Sequence, residues 1–428
     1  MLSKIISIIC TLISISVLCN VMFNRNLYYI EHYMLPETQE ENPSDINITP
    51  QFNSQKPDSS IKLYSKSCCL IDAGSGRILY SKDADTPLPM ASTTKIMTCI
   101  LALELGDPDS VVNVSSYAAS MPDVQLNICE GEQYILKDLL YSLMLESHND
   151  TAVAIAEHIG GSKEGFAQLM NNKASELGLS STHFVTPNGL DAEGHYTTAR
   201  ELCLITAYAI NNPEFLKIIS TDSYTFTDVS KKRTFSVYNH DSFLKMYDGA
   251  LGVKTGFTGD AGYCFAGAAR RGDITLTSAV LACGWPPHKS YKWSDTTALM
   301  DYGFNNFNYY TLLSGTYSSN EASDAIKLNP VIVTNEHGMS PGSKKSVNIK
   351  FDAECSVLLC SGDNARLTLN IPKQINLPVA EGEIIGTASL YVNDEIINEY
   401  PVYSSESVEN AGPTDYMYRL FSLFLYQH

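Results

Sequence analysis

The chain has 428 residues, of which 44% are hydrophobic and 10% aromatic, enough for two or three domains with packed cores. Its 29 Lys and Arg residues stand against 47 Asp and Glu residues, a formal net charge of -18 that repels nucleic acid phosphates. Nucleic acid is therefore excluded as an expected partner. Since the sequence contains no repeat and no low-complexity tract, it predicts ordinary globular domains in series.

The N-terminal region predicts an exported protein. Residues 5–23 carry no charge, so residues 1–23 are predicted to be either a cleaved signal peptide or a retained membrane anchor. Both alternatives put the rest of the chain outside the cytoplasm. Residues 24–60 are polar, interrupted by prolines and without regular periodicity, and are predicted to be a flexible linker.

A first polar pair, Ser92 and Lys95, lies where a helix is predicted to begin. Two apolar runs around Gly74-Ser75-Gly76 predict a β-hairpin, and after Pro89 the apolar residues return at helical spacing. Residues three apart share a helix face, so the amine can reach the hydroxyl and activate it as a nucleophile if the lysine pKa is lowered. The alternative is a capping serine followed by a surface lysine.

A second polar group interrupts two helical patterns, residues 136–145 and 151–159. Ser147 and Asn149 are two positions apart, so a hydroxyl that relays a proton and a carboxamide that binds a substrate amide can face one cleft. Helix capping is the alternative explanation. His148 lies between the two candidates and is predicted to point away from them.

A third group lies on the first of three predicted antiparallel strands, residues 252–258, 263–269 and 273–281. Lys254 and Thr255 offer a cation and a hydroxyl to a carboxylate, and Gly256 allows close approach of a ligand backbone. An exposed strand ending in a turn glycine is the alternative.

The three groups together form a recognised signature. S-x-x-K at Ser92, S-x-N at Ser147 and K-T-G at Lys254, each in its fitting structural context, match the signature of penicillin-binding proteins and class A β-lactamases. From about residue 64 to 400 the chain resembles the low-molecular-weight penicillin-binding proteins that act as serine-type D-alanyl-D-alanine carboxypeptidases. The segments LPMASTTKIMT, AIAEHIGGS, FVTPNGLDAEGHYTTAREL and GVKTGFTGDAGYCFAGAA carry the resemblance.

The resemblance implies an α/β fold of the β-lactamase/transpeptidase type. Residues 61–318 are expected to form the penicillin-binding catalytic domain, an antiparallel sheet with helices on both faces. Residues 322–402 are expected to form a small all-β domain, either a spacer or a docking module. Residues 413–428 pack apolar and aromatic side chains, which predicts an amphipathic membrane-surface helix or a helix docked on the protein's own core.

The resemblance also implies roles for individual residues. Ser92 attacks the carbonyl between two terminal D-alanines of a peptidoglycan stem peptide, Lys95 accepts its proton, and Ser147 and Lys254 assist transfer to the leaving amine. Asn149 orients the peptide amide, and the backbone N–H groups of Ser92 and Phe257 hold the oxyanion. The remaining predicted substrate-binding residues are Thr255, Gly256, Phe257, Thr258 and Lys292. β-Lactam antibiotics are expected to acylate Ser92, and no metal or other cofactor is expected.

Two alternatives to the carboxypeptidase stay open at this point. A class A β-lactamase needs a glutamate in an E-x-x-x-N element between the second and third motifs, and no such element occurs between Ser147 and Lys254. A non-catalytic wall-binding protein could keep the fold without the chemistry. Each of these three interpretations places the protein at a bacterial cell surface, membrane-associated or secreted.

Overall fold

The computed structural model describes residues 44–52, 57, 60–320, 326–334 and 346–409. The chain divides into two compact units, one spanning residues 57–308 and the other combining the segment before residue 57 with the residues after 308. Two predicted segments lie outside the described residues: the signal peptide or membrane anchor at residues 1–23, and the membrane-surface or core-docked helix at residues 413–428. Within the described ranges, no helix has both the length and the apolar character needed to cross a membrane.

Strands and helices alternate irregularly along the chain. The strands are β1 (Ser44–Asn47), β2 (Ser67–Asp72), β3 (Ile78–Lys82), β4 (Val111–Asn113), β5 (Gln133–Ile135), β6 (Ser223–Thr227), β7 (Thr234–Tyr238), β8 (Ala250–Thr258), β9 (Gly262–Arg271), β10 (Ile274–Leu281), β11 (Asn308–Ser318), β12 (Val331–Thr334), β13 (Ser346–Val347), β14 (Ile349–Leu359), β15 (Ala365–Asn370), β16 (Gln374–Asn376), β17 (Ile384–Val392) and β18 (Glu395–Ser404). The helices are α1 (Lys95–Leu105), α2 (Ser116–Ala119), α3 (Leu136–Leu145), α4 (Asn149–Gly160), α5 (Lys163–Glu176), α6 (Ala199–Ala209), α7 (Pro213–Ser220), α8 (Phe243–Met246) and α9 (Tyr291–Asn306). A 3-10 turn, Ala91–Thr94, precedes α1.

The larger unit is built on a five-stranded sheet of order β3-β2-β10-β9-β8. All neighbouring pairs are antiparallel. The hydroxyl of Thr277 donates to the Cys203 carbonyl of α6, whereas the adjacent Leu276 packs against Gly303 of α9. Because successive strand residues point to opposite faces, α6 and α9 cover the two faces of the sheet. The predicted antiparallel sheet with helices on both faces is confirmed.

The helical part of this unit packs around α1. Its residues Ile96, Met97, Cys99 and Ile100 are almost completely buried and belong to the same apolar core as α3, α4 and the inner face of the sheet. A helix that is apolar on all sides is suited to the centre of a domain, because it can bury every face. This central position fixes the 3-10 turn and the start of α1 firmly against the edge strand β8.

The predicted elements of the larger unit agree with the structure. The hairpin is β2–β3, the pattern over residues 136–145 is α3, and the three predicted strands are β8, β9 and β10. One detail differs, because Ser92 lies in the 3-10 turn and α1 begins only at Lys95.

The smaller unit is all-β, as predicted, but its boundaries differ from the prediction. Its six-stranded sheet has the order β1-β15-β17-β18-β14-β11. The linker prediction is wrong for residues 44–47, because β1 pairs antiparallel with β15, with Ile46 opposite Leu367. Since β11 lies in this sheet, the larger unit ends near residue 308 and not at 318.

Replacement of Ile46 by aspartate tests the assignment of β1. Ile46 packs against the apolar core of the smaller unit, so Ile46→Asp is expected to lower the free energy of unfolding of that unit by about 1 to 2 kcal/mol. Thermal unfolding followed by calorimetry should show a lower transition for the smaller unit and an unchanged transition for the larger one. An unchanged melting profile would contradict the pairing of β1 with β15.

Candidate active site

The 3-10 turn holds Ser92 directly beside Lys95. The Lys95 Nζ atom lies 2.9 Å from the Ser92 Oγ atom, and the lysine side chain is completely buried. Ala91, immediately before the serine, has a φ of +48°, which residues with a Cβ rarely adopt. The backbone is therefore held in an unusual conformation at the residue that aims the Ser92 hydroxyl at the amine.

Lys95 has two further hydrogen-bond acceptors. Its Nζ atom lies 2.8 Å from Asn149 Oδ1 and 2.6 Å from the backbone carbonyl oxygen of Asn188. Burial, followed by the positive charge of Lys254, holds the pKa of Lys95 well below the usual lysine range. Because the contacts of Nζ are all with oxygen atoms of uncharged groups, the site can hold the neutral amine.

Ser147 and Asn149 lie at the break between α3 and α4. Ser147 adopts a φ of +71°, and its Oγ atom is buried without a hydrogen-bond partner among the described residues. The Asn149 side chain donates through Nδ2 to the Pro122 carbonyl, and its backbone N–H donates to the Val124 carbonyl. The asparagine is thus fixed in orientation, with its amide oxygen turned to Lys95.

His148 is turned away from the site, which confirms the prediction. Its Nδ1 atom lies 2.8 Å from Ser142 Oγ, and its Nε2 atom lies 3.2 Å from a Glu146 carboxylate oxygen. Burial lowers its pKa. The histidine therefore supports the break between α3 and α4, and it contacts neither Ser147 nor Asn149 in the hydrogen bonds described.

The edge strand β8 passes very close to the serine. A Cβ atom added to Gly256 would lie 3.0 Å from the Ser92 nitrogen and 3.1 Å from the Met90 carbonyl oxygen. Only glycine fits such an approach without displacing one of the two backbones. Phe257, the next residue, is 44% exposed. The strand is therefore accessible directly after its contact with Ser92.

Two buried lysines lie on the side of β8 and α9. Burial lowers the pKa of Lys254 to about 8, although the nearby Asp241 carboxylate opposes this shift. Lys292 is 5% exposed and its Nζ atom lies 4.8 Å from the centres of the Tyr263 and Trp293 rings, a cation–π arrangement. The positive charge of Lys292 also lowers the pKa of Lys254, so the two amines lie close enough to interact.

The two threonines of β8 differ in their surroundings. Thr255 is half-buried on β8, between the buried Lys254 and Gly256. The Thr258 hydroxyl donates to Asp191 Oδ1 at 2.7 Å and accepts the backbone N–H of Ala261. Thr258 therefore joins the end of β8 to another segment of the chain, and its hydroxyl is already occupied.

Sequence reasoning missed residues 186–195, which follow α5 and contact the site at several points. The Asn188 carbonyl binds Lys95, and Asp191 binds Thr258. A backbone carbonyl has no side-chain signature, so no motif could have indicated Asn188. The available sequence signal is the resemblance of the segment FVTPNGLDAEGHYTTAREL to the family. Asp241 was also missed, because a lone aspartate before a strand is common.

Comparisons with known proteins point to one family. A family model described as D-alanyl-D-alanine carboxypeptidase matches residues 51–284, and a model of the C-terminal domain of penicillin-binding protein 5 matches residues 331–410. D-alanyl-D-alanine carboxypeptidase DacF of Bacillus subtilis is 30% identical over 357 residues, 81% of this chain and 87% of the relative.

Solved structures give the same result. Penicillin-binding protein 5 from Haemophilus influenzae aligns with a TM-score of 0.64 and 26% identity, covering 83% of this chain and 100% of that one. A variant of the Streptomyces K15 DD-transpeptidase aligns with a TM-score of 0.54 and 33% identity, covering 57% of this chain and 100% of that one.

This chain belongs to the D-alanyl-D-alanine carboxypeptidase family. The predicted fold and enzyme class, a serine-type carboxypeptidase that acts through an acyl-enzyme, are confirmed by these matches. Family members act on cell-wall peptides and bind β-lactams, so this protein acts outside the cytoplasm. The matches favour the carboxypeptidase over the β-lactamase and the non-catalytic protein considered above.

Replacement of Gly256 by alanine tests the close approach of β8 to Ser92. Because the added methyl group would press on the Ser92 nitrogen and the Met90 carbonyl, the strand or the turn must shift. We expect Gly256→Ala to fold but to slow acylation by a fluorescent penicillin about 100-fold, the cost typical of a small misplacement in an active site. Gly259→Ala is the matched control, since a Cβ there meets nothing within 4 Å. Equal rates in both variants would contradict the contact.

Proposed function

We propose that Ser92 is the nucleophile that removes the terminal D-alanine from peptidoglycan stem pentapeptides, with Lys95 as its general base. The observation that carries this assignment is the hydrogen-bonded group formed by Ser92 Oγ, Lys95 Nζ, Asn149 Oδ1 and the Asn188 carbonyl. A serine hydroxyl is a weak nucleophile at neutral pH and needs an adjacent base. Lys95 is the basic group within hydrogen-bonding distance of it.

The hydrogen bonds of Lys95 define the direction from which its amine can accept a proton. A neutral amine has two N–H bonds and one lone pair. Asn149 Oδ1 and the Asn188 carbonyl accept the two N–H bonds, because neither oxygen can donate. The lone pair is then left facing Ser92, whose O–H donates to it. Attack by Ser92 on the peptide carbonyl transfers this proton to Lys95, giving an ammonium ion with three acceptors.

The tetrahedral intermediate needs donors for its oxygen and a proton for its leaving amine. We assign the oxyanion donors to the backbone N–H groups of Ser92 and Phe257, supported by the close approach of β8 to the Ser92 nitrogen. Ser147, whose buried hydroxyl lacks a partner among the described residues, suits a relay that is completed only when substrate is bound. Assisted by Lys254, it would pass the proton taken up by Lys95 to the amine of the departing D-alanine. Water then hydrolyses the Ser92 ester, which releases the shortened peptide and restores the serine hydroxyl.

Recognition of the substrate's terminal carboxylate is assigned to the cationic side of the cleft. Thr255 would offer a hydroxyl, and Lys254 and Lys292 would offer positive charge in a region from which water is largely excluded. A lysine provides a point charge and not the two-pronged contact of an arginine. Binding at Lys292 is therefore expected to depend on charge more than on the orientation of the carboxylate.

The proposed roles of Asn149 and Thr258 follow from their contacts. Asn149 orients Lys95, and its Nδ2 group would have to leave the Pro122 carbonyl in order to bind a substrate carbonyl. Thr258 contributes by fixing the end of β8 through Asp191. Its backbone, and not its hydroxyl, is the part available to a peptide lying along the strand.

We also propose that the protein is held at a membrane surface. The uncharged run at residues 5–23 and the aromatic run at residues 416–426 support attachment at both ends of the chain. These runs lie outside the described residues, and the proposal rests on their composition. Cleavage of the first run would leave the C-terminal segment as the membrane contact.

Replacement of Ser92 by alanine tests the nucleophile. Without the hydroxyl no acyl-enzyme can form, so Ser92→Ala should abolish both labelling by a fluorescent penicillin and release of D-alanine from a pentapeptide, measured by mass spectrometry. Ser120→Ala, which removes an exposed hydroxyl of the same unit, should retain both activities. Labelling that persists in folded Ser92→Ala would exclude Ser92 as the nucleophile.

The charge of Lys254 predicts an alkaline limb in the pH profile. Its pKa is about 8, so Lys254 is cationic below that pH and neutral above it. If the cation is needed, kcat/KM for the pentapeptide should fall about tenfold per pH unit above about pH 8. In Lys254→Arg the charge persists, so the absolute rate can be lower but this limb should disappear. An identical alkaline limb in both enzymes would remove Lys254 as its origin.

A further inference from the structure

A buried histidine outside the three motifs connects two parts of the active site. His195 is 5% exposed, and its Nδ1 atom accepts the backbone N–H of Val185 at 3.0 Å. Since Nδ1 is an acceptor, the proton of the neutral ring is on Nε2, which lies 2.8 Å from Thr94 Oγ1. Thr94 Oγ1 in turn donates to the Ala91 carbonyl at 2.8 Å. Each of these three hydrogen bonds is donated in the direction of Ala91, the residue before Ser92.

The Ala91 carbonyl is also contacted by Gly189. A Cβ atom on Gly189 would lie 2.0 Å from the Ala91 oxygen, so the two backbones are in direct contact. Gly189 itself has a φ of +82°, which glycine adopts without steric cost. The left-handed conformation of Ala91 is therefore held from two directions, by the packing of Gly189 and by the hydrogen bonds that begin at His195.

The same segment orients the base. The carbonyl of Asn188, next to Gly189, accepts from Lys95 Nζ. The Thr98 hydroxyl of α1 donates to the Pro187 carbonyl at 2.6 Å, an anchor that does not involve His195. Loss of the His195 contacts is thus expected to release the Ser92 turn while this anchor still holds the segment near Lys95.

We propose that His195 is a positioning residue for acylation, which sets the direction of the Ser92 hydroxyl by tying the turn before it to the segment that orients Lys95. This proposal rests on the proposed function of Ser92 and Lys95. In the neutral state the ring accepts from one side and donates to the other. Burial lowers its pKa to about 4, so that state is maintained at neutral pH.

The alternative is that His195 only stabilises the core. A purely structural histidine would lower the melting temperature when replaced, but the folded protein would still acylate at the normal rate. Rate and stability must therefore be measured on the same variants. The two variants remove different sets of bonds. Thr94→Val deletes the hydroxyl, and with it the bonds to His195 and to the Ala91 carbonyl. His195→Phe deletes the bonds to Val185 and to Thr94 and keeps a ring.

The test compares acylation by a fluorescent penicillin at pH 7 in full-length protein carrying Thr94→Val, His195→Phe, His195→Gln or Thr277→Val. Thr277→Val is the matched control, since it removes an equally buried threonine-to-carbonyl hydrogen bond on β10. We expect acylation to slow at least tenfold in Thr94→Val and His195→Phe and to stay within twofold of the wild type in Thr277→Val. His195→Gln, whose amide can reach Thr94, should recover at least half of the loss on a logarithmic scale.

Other results would overturn the proposal. Wild-type acylation rates in folded Thr94→Val and His195→Phe would show that the bonds do not position Ser92. A slowing of Thr277→Val equal to that of Thr94→Val at the same melting temperature would assign the effect to stability. The Ser92→Ala experiment distinguishes failure of the proposed function, because that failure would leave labelling intact in the absence of the Ser92 hydroxyl.

Discussion

The proposed active site depends on one buried amine. Lys95 is fully enclosed, and its three described hydrogen-bond partners come from the preceding turn, from α4 and from the segment at Asn188. An ammonium ion without a carboxylate partner is costly to bury, so the surroundings favour the neutral form that a base requires. The core around α1 supplies the rigidity with which these three distant parts of the chain are held at hydrogen-bonding distance.

The electrostatics of the site contrast with those of the whole chain. The formal net charge is -18, yet Lys95, Lys254 and Lys292 are buried together near the cleft. Asp241 is the carboxylate that acts on Lys254 and Lys292, and Asp150 acts on Lys95. Burial raises the pKa of Asp241 to about 6 in spite of two backbone hydrogen bonds. A substrate that ends in a carboxylate would be repelled by much of the surface and attracted at this place, which favours productive orientation on approach.

The sequence predicted the parts of the site that have local signatures. Ser92 and Lys95 are three residues apart on one turn, and the strands around Lys254 have clear apolar patterns, so their placement follows from local rules. The Asn188 carbonyl could not be predicted, because its role depends on where the backbone of a long irregular segment runs. Strand β1 could not be predicted for a similar reason. Its four residues contain a single apolar side chain, Ile46, and its pairing partner is far away in the sequence.

The pairing of β1 with β15 also determines when the smaller unit can be completed. Ser44 lies opposite Leu369, so the intervening chain, including the whole larger unit, must be synthesised before this edge of the sheet can close. Contacts of such sequence separation form late in folding because the loop they close is long. Without β1, β15 would present unpaired backbone groups at this edge, the feature through which sheets associate with other chains. In the folded unit, β1 therefore covers this edge of the sheet.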